Sequence, residues 1–161
     1  MINAIITPYL LVTAILSAAP AQWSTFQSYM GTWNGKRSGA QGPVSVTRQY
    51  ESVVRNQHLL VTERVASERT PWGLVSYDDV AANFVLRRFR PDGSVAELVL
   101  QQASKESGTL VFAGGPSPEV PGAERITQEL HGANEFVERV EVAKEGQPLT
   151  VVSETVFHRK R

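Results

Sequence analysis

No cysteine occurs anywhere in the 161 residues. Disulfides, thiolate metal centres, cysteine nucleophiles and the cysteine acceptor of a bacterial lipoprotein anchor are therefore excluded. Charge of either sign is not in excess: 16 Lys and Arg meet 16 Asp and Glu. No global field draws the chain to nucleic acid or to an anionic membrane. The one concentrated basic stretch, Phe157-His158-Arg159-Lys160-Arg161, reads as a solvated chain end. Catalytic signatures are missing too: there is no G-x-S-x-G, no H-E-x-x-H and no Gly-rich phosphate loop. The adjacent acids Asp78-Asp79 fall at a strand end, where turn formation explains them. His58, His131 and His158 are far apart, each at a strand start or end, so they read as strand-end imidazoles and no metal site is assigned. A long amphipathic helical pattern is also lacking after Trp33.

What is present begins with an apolar run from Ile5 to Ala19, interrupted by Pro8, with Ala19-Pro20-Ala21 ahead of Gln22. The run is shorter than the ~20 apolar residues of a spanning helix, and the triplet resembles a signal-peptidase site. No Lys or Arg precedes it, which departs from the usual signal pattern. The expectation is a signal peptide over residues 1–21, a single domain over 22–161, and a periplasmic or extracellular protein without stable membrane insertion after cleavage.

The domain is organised around Gly31-Thr32-Trp33-Asn34-Gly35. A tryptophan between glycines at a strand start can fill one end of a barrel while the glycines let the backbone turn and approach closely. Just before it, Ser24 to Met30 has Phe26, Tyr29 and Met30 at near-helical spacing behind a capping serine, predicting one helical or 3₁₀ turn over that barrel end. Roughly ten short strands follow, at the 8–12-residue spacing of a sandwich or barrel. Their predicted spans are 32–38, 44–51, 58–67, 74–78, 84–90, 95–102, 109–113, 124–131, 135–143 and 149–158, with Pro71-Trp72-Gly73 as a turn and Pro91-Asp92-Gly93-Ser94 as a tight hairpin. Such short connections predict an all-β, antiparallel up-and-down barrel of 8–10 strands.

Several strands carry a charge within an otherwise apolar row: Arg48 between Val46 and Tyr50, Glu63 between Val61 and Val65, Glu138 between Phe136 and Val140. In a dry core an unpaired charge costs several kcal/mol, on the order of the values for buried ions. Around a barrel cavity the same residues can orient a ligand's polar end. Arg48, Tyr50, Glu63 and Glu138 are the candidate ligand-binding residues, with Arg48 the first choice because a guanidinium grips a carboxylate by two parallel bonds. The reading is a non-catalytic binder of a small apolar or amphipathic molecule, with no nucleic-acid partner, no cofactor and no assigned catalytic residue. Two alternatives stand beside it: a haem-binding barrel, and an enzyme using the cavity with a base drawn from the glutamates (Glu63, Glu129, Glu138, Glu154) or a histidine.

Gly31-Thr32-Trp33 opening the first strand, with Arg159 ending the last, resembles the G-x-W…Arg signature of lipocalins and the wider calycin group. That resemblance implies that the Arg159 guanidinium lies over the Trp33 indole and closes the barrel end, Arg161 being the other candidate. Gly-Thr-Trp, Tyr77-Asp78 and Phe157-His158-Arg159 together look like the uncharacterised DUF1579 group. The G-x-W-x-G start is also similar to that of nitrobindin-like haem barrels, which would imply a late axial histidine: His158, or after it His131.

Overall fold

The computed structural model describes residues 21–38, 42–54, 57–115, 122–144 and 147–161. The expected signal segment up to residue 20 lies outside the described residues, as do 39–41, 55–56, 116–121 and 145–146 within predicted turns.

A 3₁₀ helix, Ala21–Tyr29, precedes ten strands: β1 (Gly31–Arg37), β2 (Val44–Val53), β3 (His58–Val65), β4 (Glu68–Asp78), β5 (Asn83–Phe89), β6 (Val95–Ser104), β7 (Thr109–Gly114), β8 (Glu124–Leu130), β9 (Glu135–Ala143) and β10 (Leu149–Arg159). Each strand pairs antiparallel with its sequence neighbours, and β10 returns to β1, closing the barrel. The expected up-and-down topology is the one observed. Closure also removes both sheet edges, so every strand has two neighbours.

Alternation decides what points inward. Along β2 the row Val46, Arg48, Tyr50 is buried while Ser45, Thr47 and Gln49 lie outside it. The rows Leu59, Val61, Glu63 on β3 and Phe136, Glu138, Val140 on β9 are buried as well. The predicted faces of these three strands are therefore the observed ones.

One prediction fails at Trp72. Instead of a turn, Pro71-Trp72-Gly73 lies inside β4, whose eleven residues begin at Glu68. The β3–β4 register shifts there: Val61 pairs with Gly73 and Thr62 with Pro71, leaving Trp72 as the extra residue of a bulge. A bulge re-aims a side chain, and this one puts the indole in the core, 7% exposed. Trp23, carried by the helix, also belongs to the core.

The helix packs over one end of the barrel. Trp23, Phe26 and Tyr29 point into it, with Phe26 edge-on to Phe84 at 4.8 Å and Tyr29 edge-on to Phe136 at 5.4 Å. The connections β2–β3, β4–β5, β6–β7 and β8–β9 lie at this helix end. The other five lie at the opposite end, and the two ends differ in chemistry.

Candidate functional site

At the helix end, Trp33 is completely buried and its indole N–H donates to the Tyr29 carbonyl at 2.7 Å. Gly31 adopts φ +107°, a left-handed backbone that glycine permits, where the chain turns from helix to strand. A Cβ on Gly35 would stand 2.7 Å from the Phe157 ring, so the second glycine is a close-approach position. Arg159 pairs directly with Trp33 across β1 and β10, and its guanidinium lies 4.1 Å above the indole. It also donates to the carbonyls of Met30 (2.8 Å), Ser28 (2.7 Å) and Ala133 (2.9 Å). Gly31, Trp33 and Arg159 are thus brought together, and the closing arginine is Arg159.

Toward the opposite end, the barrel interior turns ionic. Arg48 has no exposed surface; it forms ion pairs with Glu138 and, at 2.6 Å, with Glu63. Its guanidinium lies 4.1 Å over Trp72 and 4.9 Å over Phe157, so an indole and a phenyl ring complete its surroundings. Arg37 holds the other side of Glu63, donating to Oε1 at 2.9 Å. Gln128 donates both to Glu138 (2.8 Å) and to the Tyr50 hydroxyl (2.9 Å). The four predicted residues Arg48, Tyr50, Glu63 and Glu138 therefore form one network, linked through Gln128.

A second ion cluster adjoins the first. Glu124, 2% exposed, sits between Arg88 and Arg90, the latter at 2.9 Å. Arg88 also reaches over the Trp72 ring, 5.4 Å from its centre. Four guanidiniums (Arg37, Arg48, Arg88, Arg90) thus face three carboxylates (Glu63, Glu124, Glu138), and two of them, Arg48 and Arg88, lie over one indole.

Electrostatics within the network follow from burial and pairing. Burial works against the Arg48 cation, yet Glu138 and Glu63 hold its pKa above the ordinary arginine value. For Glu63 burial would raise the pKa, but Arg48 and Arg37 outweigh it and keep the carboxylate ionised. Tyr50 is pushed up to about 12 by burial, against the pull of Arg48, and stays neutral. Burial lowers the pKa of Arg88, which has Arg48 and Arg90 for neighbours.

Arg48 is wholly taken up by Glu63 and Glu138, so the groups still turned toward solvent are others. Arg37, Arg88 and Arg90 have 27%, 20% and 31% of their side-chain surface exposed. Sequence reasoning missed these three, along with Glu124, Gln128 and Trp72. Most carried the signal used for Arg48: Arg88 continues the row Phe84, Leu86, and Glu124 opens the row Ile126, Gln128.

His158 lies on the outer face, its side chain 65% exposed and 3.3 Å from Glu135; His131 is 52% exposed beside the same carboxylate. A haem inside the barrel would receive no ligand from either. Among the described residues no group of three His, Cys, Asp or Glu could hold a metal ion, and no helix is long and apolar enough to cross a membrane.

No family model and no curated protein matches the chain. Among solved structures, it is similar to Rv2717c from M. tuberculosis, at 17% identity and TM-score 0.62, covering 89% of this chain and 100% of that one. It is also similar to the S-type phycobiliprotein lyase CPES from Guillardia theta, at 13% identity and TM-score 0.52, covering 86% and 92%. At these identities the likeness concerns the fold alone, a closed antiparallel barrel.

Proposed function

We propose that the protein is a non-catalytic carrier or sensor of a small amphipathic molecule with an acidic group. The ligand enters at the end opposite the 3₁₀ helix, with its acid seated on Arg88, Arg90 and Arg37 and its apolar part against Trp72. The observation that carries this reading is a surplus of donors. The Nε–H groups of Arg48 and Arg88 are buried and without a partner among the described residues, and both guanidiniums lie over the Trp72 ring. The buried Thr155 hydroxyl is unpartnered as well. A buried donor left unmade costs about 1–3 kcal/mol, which an acceptor on the ligand would recover at Arg88. The Arg48–Glu63–Glu138 network has the role of a charged floor that fixes Trp72, a narrower role than gripping the ligand itself. The apolar N-terminal run with Ala19-Pro20-Ala21 supports export, and the proposed site of action is the periplasm or the cell exterior.

The test is titration with a fluorescent long-chain fatty acid and with the corresponding alcohol. The acid should bind at least tenfold tighter than the alcohol, and Arg88→Gln should erase that difference. Equal affinity for acid and alcohol in the wild type would refute the proposal. Haemin in parallel addresses the haem alternative: a Soret shift unaffected by Arg88→Gln would favour haem over the amphipathic acid.

A further inference from the structure

We propose that the outer face of β10, β1, β2 and β3 is a second binding surface, built for an acidic polysaccharide and separate from the barrel interior. Direct cross-strand register lines up His158, Asn34, Thr47 and Arg64 in one row. A parallel row runs through Thr32, Gln49 and Thr62, with Lys160 at its end where its N–H donates to the Thr32 carbonyl at 2.8 Å. With strands about 4.8 Å apart, each row offers a polar contact at every strand over roughly 14 Å.

Two grooves mark this face. One, of about 620 Å³, is lined by Asn34, Lys36, Ser45, Thr47 and His158, with Val156 beneath. The other, of about 210 Å³, lies between Thr32, Gln49, Thr62, Arg64, Arg69 and Lys160 and shares Thr47 with the first. No carboxylate lines either groove, although acids equal bases over the chain as a whole.

The charge of this face is unspent. Lys36, Arg64 and Lys160 are exposed and form no ion pair among the described residues. Two bordering carboxylates pair with groove residues, Glu51 with Arg69 at 3.5 Å and Glu135 with His158 at 3.3 Å, and Glu154 pairs with Arg139 at 2.7 Å, so none of the three is paired with Lys36, Arg64 or Lys160. Cations spaced along a groove attract a chain of repeated acid groups, and the interleaved hydroxyls and amides can donate to and accept from sugar hydroxyls. Neither groove is lined by Phe, Tyr or Trp, and the one ring in the lining, His158, is paired with Glu135, so no row of rings is offered on which successive bases of a single-stranded nucleic acid could stack.

The experiment titrates the full chain with dextran sulfate and with polygalacturonate at low salt, using uncharged dextran as blank and oligothymidylate as a competing polyanion. At least one acidic glycan should bind, with affinity that falls as salt rises. The triple variant Lys36→Gln, Arg64→Gln, Lys160→Gln should weaken binding at least tenfold. The control triple Arg87→Gln, Lys105→Gln, Lys144→Gln removes the same charge from other faces and should change it less than twofold. All six side chains are exposed, so both triples should keep the wild-type unfolding midpoint. Arg64→Glu alone, a single charge reversal, should reproduce most of the loss. Absence of glycan binding at low salt, equal losses in the two triples, or oligothymidylate bound as tightly as the glycans would each overturn the proposal.

Discussion

The two ends of this barrel solve the problem of a wide interior by opposite means. At the helix end, Trp33, Tyr29, Phe136 and Phe157 fill the space with rings, and the polar atoms present are few and matched, as in the indole bond to the Tyr29 carbonyl. Toward the other end, four guanidiniums and three carboxylates pair with one another, two of the guanidiniums over Trp72. Ring packing depends on shape and responds little to pH or salt. A buried ionic cluster is no stronger than apolar packing of the same volume, because desolvation offsets much of the attraction. What the ionic end gains is chemistry: donors that can be shared with a ligand. The helix end is thus the structural anchor, and the ionic end holds the candidate site.

The most severe disruption of that contrast is Trp33→Ala, which should cost about 3–5 kcal/mol, the range for a large buried aromatic. Urea unfolding should show the same loss at pH 4 and at pH 7. A loss that varies with pH would mean that the helix end is not held by packing alone.

Arg48→Met addresses the other end. Removing the guanidinium leaves Glu138 buried without its ion-pair partner and Glu63 held by Arg37 alone, with an expected cost of roughly 3–5 kcal/mol at pH 7. Pairing holds Glu63 below the ordinary carboxylate pKa, so its stabilising contribution is complete above about pH 4.3, the unfolded value. It fades as pH falls through the lower folded value. The penalty of Arg48→Met should therefore shrink in acid, while that of Trp33→Ala should not. Denaturation curves for both variants between pH 7 and pH 3 measure this directly, and parallel curves would erase the distinction between the ends.

Arg159→Gln is a finer probe. It removes a cation–π contact and three hydrogen bonds to backbone carbonyls, all at least partly exposed to solvent. The expected cost is about 1–2 kcal/mol, less than that of losing the indole beneath it. A cost equal to that of Trp33→Ala would make the arginine, and not the ring, the anchor of the helix end.

Much of the fold was legible because its rules are local. Period-two alternation on β2, β3 and β9 fixed the inward rows, and Pro91-Asp92-Gly93-Ser94 marked a hairpin that the structure closes with Gly93 at φ +82°. The site was half legible for the same reason: Arg48, Glu63 and Glu138 each interrupt an apolar row. Their mutual pairing was not legible, since Arg48 and Glu138 are ninety positions apart and meet through barrel closure. Trp72 escaped because a bulge breaks the alternation from which its direction would have been read. Arg88 was within reach of the same rule, since it continues the row Phe84, Leu86, whereas Arg37 ends β1 and Arg90 lies just past β5, where alternation alone does not separate an inward side chain from a solvated one.

The seam between β1 and β10 has a consequence in time. Trp33 pairs with Arg159, so the first strand of the barrel finds its second neighbour only in the last. Until β10 exists, β1 and β9 each present an unpaired edge, the kind of surface on which chains join one another. A ribosome-bound chain is therefore open for the whole of its synthesis, and the final pairing is the step with the longest sequence separation and the slowest expected closure. Losing the end of β10 would leave the fold without its latch, and the product would be expected to aggregate instead of forming a smaller stable barrel.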